Sequence, residues 1–187
     1  MPVDANTIRQ IFEVALRRFL ISETQEVLEG VNERANCGRL AIYLHEAAKE
    51  HELPHAYLVD VEYNRKQQGR IKTIMNGNYE IIRVNCDVIL HSRGALLGQD
   101  NLIAIEMKKV DQPEDEKQKD RDRLCALTKS SFDDVWNADG VTPPEHVCGY
   151  LLGVFIELDR FTRRCSIEYY REGALYAEDT RQIGPGD

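Results

Sequence analysis

The sequence predicts an α/β protein, a mixed central β-sheet flanked by helices. Three observations lead there. Apolar residues recur at helical spacing over residues 5–21 and again over 32–51. Past Pro54 the pattern turns strand-like, with alternating or continuous runs of β-formers. A densely charged segment at 113–131 then separates three early runs from two later ones, so the order is helix, helix, strand, strand, strand, helix, strand, strand.

Each element has its own signal. Ile8, Phe12, Ala15, Leu16 and Phe19 form the apolar stripe of the first helix, with Asn6 or Thr7 as its cap. The second helix carries Leu40, Ile42, Tyr43, Leu44, Ala47 and Ala48, and Pro54 follows it. Residues 57–65 (YLVDVEYNR) alternate and read as the first strand. Residues 65–78 are polar, carry Gly69 and Gly77, and form a loop or a strand with a long turn. Residues 80–91 (EIIRVNCDVILH) read as one strand, and 92–100 as a glycine-containing connection. Residues 101–109 (NLIAIEMKK) follow; the first half is apolar on both faces, which predicts a central strand.

The segment 113–131 opens with Pro113 and holds few apolar anchors, chiefly Leu124, Ala126 and Leu127. A largely solvated helix is expected, with DEKQKDRDR as an exposed face of i,i+4 pairs. After a loop at 139–144, residues 147–158 (VCGYLLGVFIEL) read as a buried strand and 163–171 as a last strand at the sheet edge. The tail, ending in IGPGD, is expected to fray.

Length and composition set the frame. A chain of 187 residues suggests a single domain, 1–187, with residues 1–30 as a helical extension and 31–171 as the core. No apolar run approaches the roughly 18 residues needed to span a bilayer, and MPVDANTIRQ lacks the apolar core of a secretory signal, so a cytoplasmic protein with no membrane partner is expected. Five cysteines are present, widely spaced and without a CxxC pair, which argues against a zinc ribbon or an iron–sulfur cluster and for free thiols in a reducing compartment. The net charge of −8 argues against a protein that coats nucleic acid through charge alone. It leaves room for an enzyme that meets nucleic acid at a local site, because active-site carboxylates contribute to the acidity.

The chemistry concentrates at the end of NLIAIEMKK. Side chains alternate along a strand, so Glu106 and Lys108 share one face and Met107 takes the other. If the preceding strand pairs with this one as a hairpin, Asp87 sits beside Glu106. Two carboxylates that close repel unless a cation lies between them. Oxygen ligands without imidazole suit Mg²⁺ or Mn²⁺ rather than zinc. Such an ion could polarise a phosphodiester, and Lys108 could hold the attacking water or stabilise charge on the phosphate.

The segments CDVILHSRG and NLIAIEMKK resemble the core of the PD-(D/E)XK, restriction-endonuclease-like nucleases, in a bacterial subgroup. The first supplies the motif aspartate at Asp87, the second the E-x-K at Glu106 and Lys108; Cys86 stands where the motif has proline. NERANCGRLAIYL resembles the helix before the sheet in this family, and Glu33 matches the acid that often completes the metal site. The other reading of Glu33 is a helix N-terminal carboxylate favoured by the macrodipole. VDVEYNR, DRDRLCALT and YLLGVFIEL also resemble core elements, so the likeness runs from about Val31 to Leu158. It implies an αβββαβ core behind an extra N-terminal helix. It also implies metal ligation by Asp87, Glu106, Glu33 and the Met107 carbonyl, with Lys108 assisting the water.

Supporting candidates surround this centre. Glu62 is a further acid in the first strand, with Asp60 on its face as a competitor. His91 shares a face with Asp87 and is either near substrate or solvated. Arg93 and Lys109 flank the centre, and Arg65, Lys66, Arg70 and Lys72 form a basic loop. The expected activity is an Mg²⁺-dependent endonuclease acting on DNA rather than RNA, as a homodimer or within a larger complex. The competing reading is an inactive nuclease fold used as a binding or assembly module, suited by its acidic surface to a protein partner.

Overall fold

A computed structural model describes residues 2–62, 73–75, 81–83, 86–96, 98–129 and 148–185. The basic-loop candidates Arg65, Lys66, Arg70 and Lys72, and the loop at 139–144, lie outside the described residues.

Helix α1 spans Ala5–Ser22 and buries Ile8, Ile11, Phe12, Ala15, Leu16, Phe19 and Leu20 along one stripe. Its cap is Asp4, whose carboxylate accepts the amides of Asn6 and Thr7 at 2.9 and 3.0 Å, rather than Asn6 or Thr7 themselves. A short helix absent from the sequence reading, α2 (Thr24–Glu29), follows and stops at Gly30 in a left-handed conformation, φ 79°. Helix α3 (Glu33–Glu50) is capped by Asn32, which accepts the Ala35 amide at 2.8 Å. Buried Glu23 ties the start of α2 to α3 by accepting from Arg39 and Tyr43 at 2.5 and 2.7 Å.

Among the described residues eight strands follow: β1 (Leu58–Val61), β2 (Thr73–Met75), β3 (Ile81–Arg83), β4 (Val88–His91), β5 (Asn101–Lys109), β6 (Leu152–Asp159), β7 (Arg164–Arg171) and β8 (Ala174–Gln182). Strands β2 and β3 form a separate antiparallel pair. The main sheet has the order β1-β4-β5-β6-β7-β8. Every neighbouring pair in it is antiparallel except β5 and β6, which run parallel. Helix α4 (Glu114–Thr128) makes the crossover that a parallel pair requires.

The two faces of the sheet bury different sets. Ile103, Ile105 and Met107 of β5 pack with Val154, Ile156 and the stripes of α1 and α3. Ala104, Ile89, Phe155 and Tyr170 pack against Leu124 and Leu127 of α4. Alternation therefore sends Glu106 and Lys108 to the α4 side. Strand β5 lies between β4 and β6, as its apolar first half predicts.

Four expectations need correction. Residues 80–91 are not one strand: β3 pairs with β2, β4 joins the main sheet, and Asp87 sits in a bend just before β4. Both pieces are apolar, so the period carries no mark of the change of sheet. Strand β7 is not the edge, because β8 pairs along its full length. Strand β8 is solvated on most positions, which erases the alternation by which a strand is recognised. The residues after β8 are anchored rather than frayed at their start: Ile183 is buried and its N–H donates to Arg163, while the Gly184 N–H donates to Leu20. Finally, α4 is not merely a solvated face, since Lys117 and Asp120 are buried on its inner side.

All five cysteines are free, four of them buried and Cys125 partly so. Among the described residues no helix is long and apolar enough to cross a membrane.

Candidate functional site

Asp87 is set by backbone on both sides. Its carbonyl accepts the Glu62 N–H at 3.1 Å, and its carboxylate accepts the Met107 N–H at 2.8 Å. The acid is thereby fixed opposite the residue between Glu106 and Lys108. Burial raises the Asp87 pKa; the Met107 amide and Lys108 oppose the rise, and Asp120 and Glu33 add to it.

Glu106 is 1% exposed, and burial pushes its pKa up to about 8 against the pull of Arg123. Its Oε1 lies 2.5 Å from Arg123 Nη1, which also donates to Asp120 at 2.8 Å. Lys108 Nζ reaches Asp120 at 3.3 Å and Glu33 at 3.4 Å. Burial works against the charge on Lys108, but Asp120, Glu33 and Asp87 together outweigh it and hold its pKa above the ordinary lysine value. The result is one connected cluster in which four carboxylates, Glu33, Asp87, Glu106 and Asp120, face two cations, Lys108 and Arg123.

Asp87, Glu106, Lys108 and Glu33, predicted from sequence, thus belong to one electrostatic unit. Glu33 occupies the first turn of α3, as its reading as a helix N-terminal carboxylate expects, and lies 3.4 Å from Lys108 Nζ. Met107 contributes its amide to Asp87, and its side chain is buried on the other face with its sulfur 4.0 Å from Cys37 Sγ.

The supporting candidates take other partners. Glu62, expected within the first strand, lies in the bend just after β1, with a positive φ of 51°, and pairs with Arg34 of α3, which lowers its pKa. His91 is fully buried, with Nε2 2.8 Å from Asp60, so it is neither solvated nor open to a substrate. Arg93 also binds Asp60, through Nε at 2.7 Å. Lys109 donates to the Gly30 carbonyl at 2.8 Å and fastens the end of β5 to the end of α2.

Asp120 and Arg123 escaped the sequence reading. For Asp120 a signal did exist: Lys117, Asp120, Leu124 and Leu127 lie at helical spacing, so extending the Leu124–Leu127 stripe backward places Lys117 and Asp120 inside. Lys117 then meets Glu157 of β6 at 2.5 Å and donates to the Val110 carbonyl at 2.8 Å.

The donor set fits a hard divalent ion in its chemistry, being all carboxylate oxygen with more acid than base. Among the described residues, no three of the His, Cys, Asp and Glu side chains stand ready as a ligand group. Ligation by Glu106 requires its carboxylate to turn from Arg123. Comparison of the chain with protein-family models, curated proteins and solved structures finds no match.

Proposed function

We propose that the chain is a metal-dependent nuclease that hydrolyses phosphodiester bonds, in DNA rather than RNA. The observation that carries this reading is the cluster at the end of β5, where Asp87 is bonded to the amide between Glu106 and Lys108. The order α3, β1, β4, β5, α4, β6, with β5 and β6 parallel, supports the finer fold reading of a restriction-endonuclease-like αβββαβ core behind α1.

In this reading Asp87 and Glu106 hold Mg²⁺ or Mn²⁺, with the Met107 carbonyl and Glu33 completing the ligand set. The ion would supply Lewis-acid polarisation of the scissile phosphate. Lys108, kept protonated by its acidic neighbours, orients the attacking water and offsets charge that builds on the phosphate. Asp120 and Glu33 position the Lys108 amine. Cutting both strands of a duplex needs two such sites, hence a homodimer or a larger complex. The free cysteines suit a reducing compartment, and we assign the protein to the cytoplasm on that ground.

The test is cleavage of duplex DNA, single-stranded DNA and RNA by the purified chain with Mg²⁺ or Mn²⁺. Cleavage lost on chelation, and reduced by about a hundredfold or more in Lys108→Ala, supports the reading. Equal behaviour of the wild type and Lys108→Ala overturns it.

One observation favours a second reading, a nuclease fold used as a binding or assembly module. Glu106 is already neutralised by Arg123, and the chain as a whole carries a charge of −8. In that case Mg²⁺ leaves the melting temperature unchanged, and Asp87→Ala leaves partner affinity intact.

A further inference from the structure

Away from the acidic cluster, the C-terminal part of α1 and strands β7 and β8 enclose a cleft of about 520 Å³. That volume lies within the roughly 300–1,000 Å³ of small-ligand sites. Its wall is apolar: Leu16 and Leu20 are buried, Val14 is half-buried, and Ile21 is 47% exposed. Tyr169 of β7 also lines it. This tyrosine is 0% exposed, yet its hydroxyl has no hydrogen-bond partner among the described residues. Such a group costs free energy unless something satisfies it.

The charges around the cleft are unequal. Glu13 is matched by Arg9 at 2.8 Å, and Arg181 by Asp179 at 2.6 Å. Arg17 makes no ion pair among the described residues, so a positive charge is left over on the rim. This occurs on a chain whose net charge is −8, which should draw cations in general and repel anions.

We propose that this cleft binds a small amphipathic anion, a carboxylate carried on an aliphatic body. The body lies along Val14, Leu16, Leu20 and Ile21. The carboxylate meets Arg17 and accepts the hydrogen bond that the Tyr169 hydroxyl lacks. Burial raises the Tyr169 pKa to about 12, so the phenol keeps its proton and acts as a donor at neutral pH. The inference is independent of the nuclease reading.

Decanoate, decylammonium and decanol, each below its micellar concentration, are titrated into the full chain by calorimetry and thermal melting. Decanoate is expected to bind and raise the melting temperature, with decylammonium at least about tenfold weaker and decanol between them. Arg17→Gln, an exposed substitution, should weaken decanoate about fivefold and leave decanol unchanged. Tyr169→Phe should weaken decanoate by about five- to tenfold without lowering the melting temperature of the free protein, because the hydroxyl has no partner to lose. Equal binding of decanoate and decylammonium, or no binding of decanoate to the wild type, overturns the proposal. So does a dimer that dissociates when Ile21 is changed to Glu while decanoate has no effect, since a second copy would then cover the cleft.

Discussion

Glu106 and Arg123 form a buried ion pair, Oε1 to Nη1 at 2.5 Å, that joins the end of β5 to the inner face of α4. A charge in that position is tolerated only while its partner remains. Without Arg123 the Glu106 pKa rises further, so the cost of Arg123→Leu should grow as pH climbs above about 8, toward the roughly 3–5 kcal/mol of a broken buried pair. The cost should shrink near pH 6, where a protonated Glu106 needs no counterion. Urea unfolding at the two pH values measures the difference, and an equal cost at both contradicts the assignment.

The same burial couples stability to pH. An unfolded glutamate titrates near about 4.3, and Glu106 in the folded chain is pushed up to about 8. Between those values the native state holds more protons than the unfolded state, so stability falls as pH rises through the window. Asp87, also raised by burial, acts in the same direction. Glu106→Gln should flatten the decline between about pH 5 and pH 8. A variant whose unfolding free energy runs parallel to the wild type would show that Glu106 titrates normally.

Asp87 has a structural duty beside its proposed chemical one, because it satisfies the Met107 amide at 2.8 Å. Asp87→Ala leaves that donor unpaired and should cost about 1–3 kcal/mol. Asp87→Asn retains an acceptor oxygen and should recover most of the loss. In the nuclease reading both variants lose cleavage, so a folded, inactive Asp87→Asn separates the two duties. An active one removes Asp87 from the chemistry.

Gly153 shows how closely α4 lies on β6. A Cβ there would stand 2.9 Å from Thr128 Cγ2 and 3.1 Å from Tyr170 Cβ. Gly153→Ala should destabilise the fold by about 1–3 kcal/mol through overpacking, read by thermal or urea unfolding. A neutral result would mean that α4 moves away from the sheet at little cost.

What was legible in the sequence follows from burial. Helices α1 and α3 and strand β5 present one consistent period to one core, so their existence and the central place of β5 could be read. Glu106 and Lys108 could be placed on one face because strand alternation is strict. Asp120 falls on the stripe that runs back from Leu127 and Leu124, whereas Arg123 lies off it, in a run in which nearly every residue is charged, so its pairing with Glu106 leaves no mark in the period. Strand β8 was missed for the opposite reason: it pairs through its backbone while Leu175, Tyr176 and its charged residues face solvent. His91 looked like a strand-end group because Asp60, which binds it, lies on a strand far away in sequence.

The account rests on Asp87 and Glu106 converging on one hard cation beside Lys108, and a crystal of the protein soaked in Mn²⁺ tests this most directly. The predicted result is an anomalous peak bonded to both carboxylates, with the Glu106 side chain turned from Arg123 toward the ion. A map in which Glu106 stays on Arg123 and no peak lies between the two acids, at Mn²⁺ concentrations that saturate other carboxylate sites, would contradict it.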